Sequence, residues 1–561
     1  SSAALSLLGG SVAALVVWKW LGKKKIQKKM EEARRTRDEG MKKMAQAVQQ
    51  FREQVPSVQT DAILSLPLLE LTGRLQEGSL SPRTVLYTYL EKVSALEVTQ
   101  QTNCLRHFIP ECEEQLQEIQ QHEEKGLLYG IPVSIKDHIG HKGHLATCGL
   151  VQCLGTVVEE DSVLVQVLKK QGAIPFAMTN VPQSLFSYDC SNLIFGQTLN
   201  PLNAQKSPGG SSGGEGALIA GGGSILGIGS DMGGSIRLPC SFCGLCGLKP
   251  TAERLRWCGC LLLSHAVPCA LGPMARDVDS LALCMRALLC QEMFQLDPTV
   301  PPIPFNEEVF SSSTPLRVGY YDTDGYFPLP PCMRRAVKET SRALQAAGHQ
   351  LVPFSPPRIP YVMNELFLKT LFADGGCTWL DVLKGNIVDP VLKPLVNSCK
   401  IPRLVKKLLA LLLKPLLFAM ISTCRSVKDM WNHHHQIQVY RSQFISQWKE
   451  LQLDVVLCPV LGPAFTTGYP GKLLTAISST MLYNILNFPA GVVPVSTVTE
   501  AEEEELKLYK GCSDDPWDQT MKQAVSGAVG MPVGVQCVAL PWQEELCLRF
   551  MKEVETLSRD K

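Results

Sequence analysis

The sequence predicts an α/β protein with a large mixed, mostly parallel twisted sheet covered by helices on both faces. Two observations carry this reading. Short β-rich runs alternate with helical ones through the central region, and the runs are apolar at successive positions, as strands buried on both faces must be. With 561 residues the chain can bury a sizeable core, and no internal repeat divides it.

The first residues stand apart from that pattern. No charge precedes Lys19, tryptophans follow at 18 and 20, and five lysines lie between Lys23 and Lys29. About 20 apolar residues span a bilayer, so residues 1–22 are expected to form a transmembrane anchor. A cleaved signal peptide would carry its basic residues before the apolar run, the reverse of this order. The lysines then put everything beyond Lys23 in the cytoplasm. Residues 23–60, charged and free of proline through Gln54, read as a solvated helical linker.

The folded domain is expected over 61–561, with an early helix starting at Ser81 and Pro82. Strands are expected in "GIPVSI" before Lys136, in "AIPFAM", in "SILGIGS" from Ser224, and in "LRVGYY", "DVVLCP", "GVVPVS" and "VGVQCVAL". A helix runs from Ser162 to Gln171, where Gly172 stops it. The acidic run Glu500 to Glu505 is a solvated face. From Arg403 to Ile421, Arg403, Lys407 and Lys414 share one helical face among leucines, with Pro415 interrupting. That amphipathic pattern suits a membrane surface, a core helix pair or a dimer interface.

Composition excludes several classes. Lys+Arg 54 against Asp+Glu 53 leaves a charge of +1, so no global field recruits nucleic acid. Twenty-one cysteines in so long an apolar chain read as reduced, buried small side chains. Cys240, Cys243 and Cys246 have cluster-like spacing, with Cys258 and Cys260 close behind, yet Pro250 stands where a ferredoxin-type run needs its fourth Cys. Neither metal nor cofactor is expected. After Gly227 and Gly229 a dinucleotide fingerprint would require glycine where Met232 stands, and no Walker lysine is present in these loops.

What remains is a pair of glycine-serine segments, "KSPGGSSGGEGALIA" and "GSDMGGSIRLP". Gly209, Ser211 and Gly213 match G-x-S-x-G, but the "NPLNAQKSP" that leads in carries two prolines where that elbow needs a strand. In the second segment Gly233, Gly234 and Ser235 follow a strand, where a tight turn aims consecutive backbone N–H groups into one space that suits an oxyanion. Ser235 is then a candidate nucleophile in need of a base. His433, His434 and His435 are consecutive and point different ways on a helix. Alternation of Ile131, Val133 and Ile135 sends Ser134 and Lys136 to the other face of their strand, and makes Lys136 a candidate.

These two segments, with Lys136 upstream, resemble the amidase signature family of serine hydrolases, over roughly residues 90 to 550. "NVPQSLFSYDCSN", "GPMARD" and "ALPWQEELCLRFM" resemble its membrane-bound, fatty-amide-cleaving branch. The resemblance implies Ser235 as nucleophile, Ser211 as bridging serine after a cis Gly210–Ser211 peptide, and Lys136 as base. It implies backbone donors at Met232, Gly233, Gly234 and Ser235, with Asp231 and Arg237 bracing the turn. Leu185, Phe186, Tyr188 and Phe372 would line an acyl channel, and helices over about 403–430 would form a membrane cap. It further implies a fatty acid amide substrate, contact with membrane lipid, a homodimer, and a catalytic domain on the cytoplasmic side of the endomembrane system, endoplasmic reticulum included. Two other readings stand beside it: an amidase of small soluble amides or an amidotransferase subunit, and a membrane scaffold docking through the proline-rich Thr299–Phe305.

Overall fold

The computed structural model describes every residue except 1, 95–100, 122–123, 256–266, 403–404, 406–422, 510, 512–515 and 560–561; of residues 2–16 it describes the backbone alone. Among the described residues thirteen strands form in chain order. The first eight are β1 (Leu105–Phe108), β2 (Pro132–Lys136), β3 (Ile174–Thr179), β4 (Ser191–Asn192), β5 (Gly196–Gln197), β6 (Leu226–Asp231), β7 (Cys246–Lys249) and β8 (Ala270–Ala275). The rest are β9 (Arg317–Tyr320), β10 (Gln350–Pro353), β11 (Val455–Pro459), β12 (Ala490–Thr497) and β13 (Pro532–Val538). β4 and β5 pair with each other, and the other strands build one 11-stranded sheet in the order β1-β3-β2-β6-β8-β7-β12-β13-β11-β9-β10. Each expected strand run lies in this sheet.

The sheet is mixed, but it is not mostly parallel. Four neighbouring pairs are parallel, β2 with β3 and β6, and β9 with β10 and β11. The remaining six are antiparallel. Alternation of strand and helix does not by itself set direction. Between β12 and β13 lie two helices, Glu500–Leu508 and Pro516–Val525, and an even number of helical passes returns the chain antiparallel.

Helices cover the sheet where the sequence pattern calls for them. Val163–Lys170 is capped by Ser162 and ends ahead of Gly172, whose φ of 82° only glycine adopts freely. Pro82 opens the helix Pro82–Ser94. The acidic helix is not simply a solvated face: Thr499 and Glu502 form a capping box, and Glu502 pairs with Arg335 at 2.6 Å.

The N-terminal helix, Ser2–Gln54, is likewise more than a solvated linker. Met44, Val48 and Phe51 recur at i, i+4, i+7 and enter the main core, while Met30 packs with Val151, Ile194 and Phe195. Among the described residues no helix is long and apolar enough to cross a membrane. The side chains of the first 16 residues of the expected anchor, residues 403–404 and 406–422 of the expected cap, and Cys258 and Cys260 lie outside what the structure describes. The end of the expected cap stretch belongs to the helix Val427–Glu450, whose His433 is buried against Thr370.

Candidate active site

β2 and β6 lie side by side and parallel, so Lys136 and Asp231 both reach the carboxyl edge of the sheet, where open α/β sheets place ligand crevices. Asp137 turns away to Arg106 at 2.5 Å and to Thr147 Oγ1 at 2.9 Å, and so holds the loop that follows. Lys136 points the other way. Its Nζ lies 2.7 Å from Ser211 Oγ, 2.9 Å from Ser230 Oγ and 3.4 Å from the Ser230 carbonyl. The lysine is fully buried, and among the described residues no carboxylate reaches hydrogen-bonding distance of it. Burial therefore pushes its pKa down to about 8, against smaller opposing contributions from nearby acidic groups.

Ser211 follows a cis Gly210–Ser211 peptide, as the resemblance implied. The glycines after it exist for close approach. A Cβ on Gly213 would stand 2.5 Å from Cys190 Cβ, and one on Gly214 would stand 2.5 Å from the backbone of Asn180. Ser212, the other serine, stitches the two segments together: its hydroxyl accepts from Ser230 N–H at 3.2 Å, and its own N–H donates to the Ser235 carbonyl at 3.1 Å.

The turn after β6 is set by an ion pair with no solvent exposure. Arg237 reaches Asp231 through Nη2 at 2.9 Å and Nε at 3.0 Å, while Arg237 Nη1 donates to Thr480 O and Gln536 Oε1. Burial pushes the Asp231 carboxyl up, but the guanidinium outweighs it and holds the group well below the usual carboxylate range. Both residues brace the turn, as expected.

One expected donor is otherwise engaged. Gly234 N–H donates to Asp231 Oδ1 at 2.8 Å, because the carboxylate sits beneath the turn and captures that amide. The N–H groups of Met232, Gly233 and Ser235 have no partner among the described residues, which leaves three donors free for an oxyanion. Gly234 has a structural duty instead: with φ at 130°, a Cβ there would lie 2.5 Å from Thr480 Oγ1.

Ser211, Met232, Gly233 and Ser235 open onto one cavity of about 650 Å³. Ser235 Oγ carries no hydrogen bond among the described residues, so the structure joins Lys136 to Ser211 directly and brings Ser235 to the same wall. Leu185, Phe186, Tyr188 and Phe372 all line this cavity. Phe186 packs edge-on to Phe372 at 5.8 Å and against Trp379 at 4.9 Å. Tyr188 spends its hydroxyl on the Leu473 carbonyl at 2.6 Å, so it meets the cavity as a fixed ring.

Sequence reasoning missed Ser230, Ile477 and Met481, which line the cavity, and Trp379, which packs against Phe186. Ser230 stands inside "GSDMGGS", where its place beside Lys136 is readable only from strand pairing. Trp379 and Met481 come from the distant helices Cys377–Val382 and Ser478–Ile485, and Ile477 immediately precedes the second.

A buried lysine without a carboxylate at hydrogen-bonding distance, a serine hydroxyl bonded to it, a second serine open to the cavity and three unpaired amides suit a serine hydrolase that does without histidine. A profile of the family described as Amidase matches residues 84–548. The chain is 52% identical to "Fatty-acid amide hydrolase 1" of Sus scrofa over 97% of its own length and 95% of the relative's. It is 59% identical to the "Vitamin D3 hydroxylase-associated protein" of Gallus gallus, covering 76% of this chain and 94% of that one. A solved structure titled "Fatty acid amide hydrolase" superposes with a TM-score of 0.81 at 25% identity, covering 96% of each chain. The chain belongs to the amidase family of hydrolytic enzymes.

Proposed function

We propose that this chain hydrolyses fatty acid amides, N-acylethanolamines and primary fatty amides included, to free fatty acid and amine. The observation that carries the reading is a buried lysine amine 2.7 Å from Ser211 at one end of a cavity of about 650 Å³ with hydrocarbon walls. The unprotonated Lys136 draws a proton through Ser211 Oγ from Ser235, and Ser235 Oγ attacks the amide carbonyl. The N–H groups of Met232, Gly233 and Ser235 receive the oxyanion, each such donor being worth roughly 3 to 4 kcal/mol in other hydrolases. The proton then returns by the same path to the amide nitrogen. The C–N bond breaks, the amine departs, and water attacks the acyl-enzyme by the same relay. Acyl chains lie along Phe186 and Phe372.

Turnover of a long-chain and a short-chain amide by detergent-solubilised protein tests this, with Ser235→Ala alongside. Equal rates on both amides would remove the fatty-chain reading, and turnover surviving in Ser235→Ala would remove the serine assignment.

The same proposal includes attachment to a membrane. It rests on the uncharged run before Lys19, the exposed Trp18, Trp20 and Leu21, and the lysines from Lys23 to Lys29, which orient the catalytic domain toward the cytoplasm, on endoplasmic reticulum or related membranes. Homodimerisation is part of this reading on the resemblance alone.

A further inference from the structure

His138 is the buried polar residue that the chemistry above leaves unused. It lines the catalytic cavity, is 2% exposed, and neither ring nitrogen has a hydrogen-bond partner among the described residues. Enclosed polar atoms without partners are costly and call for an explanation. Lys136 stands close enough for its charge to oppose protonation of the ring, and burial acts in the same direction more strongly, so the imidazole is neutral. A neutral imidazole offers one N–H donor and one bare acceptor nitrogen. A hydroxyl, itself donor and acceptor, is the complement of that pair; a carboxylate or an ammonium satisfies only half of it.

The cavity has two kinds of wall. Phe186 and Phe372 present hydrocarbon, whereas Ser230, Cys269 and His138 gather polar atoms near Lys136. With the acyl chain along the first wall and the carbonyl at Ser235, the amine half of the substrate meets the second. We propose that His138 recognises a hydroxyl on that amine half and so favours N-(hydroxyalkyl) amides over N-alkyl amides of equal size. This rests on the fatty-amide reading above. The ring presents its nitrogens by turning about Cβ–Cγ, a torsion with a broad profile. His138 is thereby a specificity-determining residue, not a member of the proton relay.

The test compares the N-(2-hydroxyethyl) and N-propyl amides of one long-chain acid on wild type, His138→Phe and His138→Gln. Wild type is expected to favour the hydroxyethyl amide. His138→Phe should cut that preference about tenfold, mainly through KM, while His138→Gln, which keeps a donor and an acceptor, retains most of it. An unchanged preference in His138→Phe, or equal losses on both amides, overturns the proposal. The ratio of Kd values for the two amides, measured in a Ser235→Ala background with and without His138→Leu, separates the same outcomes without turnover and covers a His138→Phe that fails to fold. Should wild type cleave neither amide, the activity reading falls, and the Kd ratio still decides the role of His138.

Discussion

The two ends of the cavity are built on opposite principles. The Lys136 amine, the Ser211 hydroxyl and the Asp231 carboxylate are each held by named partners at 2.7 to 2.9 Å, beside a serine and three amides left open, and glycines admit backbone where no side chain fits. Along Phe186, Phe372 and Trp379, rings meet at 4.9 to 5.8 Å, and this apolar wall exerts shape with little directional bonding. The first end must keep one proton on one path. The second, on the proposed function, only has to exclude water from a chain of methylenes. A substitution at the first should therefore abolish chemistry, and one at the second should change which substrate is chosen.

Four substitutions sharpen this contrast. The largest effect belongs to Ser235→Ala, expected to lower kcat by about 10,000-fold or more, since it removes the hydroxyl that stands beside the free amides. Steady-state assays check it, and residual activity above a hundredth of wild type would break the contrast.

Lys136→Ala should cost between about a hundredfold and ten-thousandfold. Its sign in pH is fixed: with a pKa pushed down to about 8, Lys136 loses its proton as pH rises through that value, so wild-type kcat/KM climbs there. The variant should lose that limb and gain activity only where hydroxide serves. An unaltered profile between about pH 6 and 10 would remove the lysine from the relay.

Arg237→Met leaves Asp231 buried without its counter-charge, and should lower stability by about 3 to 5 kcal/mol in denaturant unfolding. A smaller loss would mean that Asn484 and the N–H groups of Gly234 and Ile236, which also donate to the Asp231 carboxylate at 2.8 to 3.1 Å, suffice without the guanidinium. Smallest of all, Phe372→Ala should reduce kcat/KM for a long-chain amide about tenfold and leave a short-chain amide within about twofold. Equal losses on both would make Phe372 a plain core residue.

Much of the fold is legible in the sequence, and the reason differs by element. Strands such as "DVVLCP" and "VGVQCVAL" are long apolar runs whose neighbours cannot be anything but other strands and helices. Direction is not legible, because an intervening helix count depends on how the chain packs. The second half of the N-terminal helix departs from expectation for a related reason: Met44, Val48 and Phe51 are spaced for burial, but the charges between them hide the stripe.

In the site, the serines announce themselves through their glycines, since only close backbone approach explains so many together. By contrast, Gly234 belongs to the expected donor set, and only the carboxylate of Asp231 beneath it shows that its amide is already taken. His138 gives no sign at all, because a histidine beside a strand end is ordinary until its nitrogens prove to lack partners.

By itself the sequence marked Ser235 as a candidate nucleophile and Lys136 as a candidate base, because residue type and local spacing govern nucleophilicity, strand alternation and the need for glycine, while the bridging place of Ser211 came from the family resemblance. Only the tertiary structure decided which of them meet and in what state. Strands β2 and β6 and the turn before Gly213, far apart in the chain, bring Ser211 and Ser230 each within 3 Å of Lys136, and burial among hydrocarbon and hydroxyls, a property of the packed whole, draws the lysine toward its neutral form.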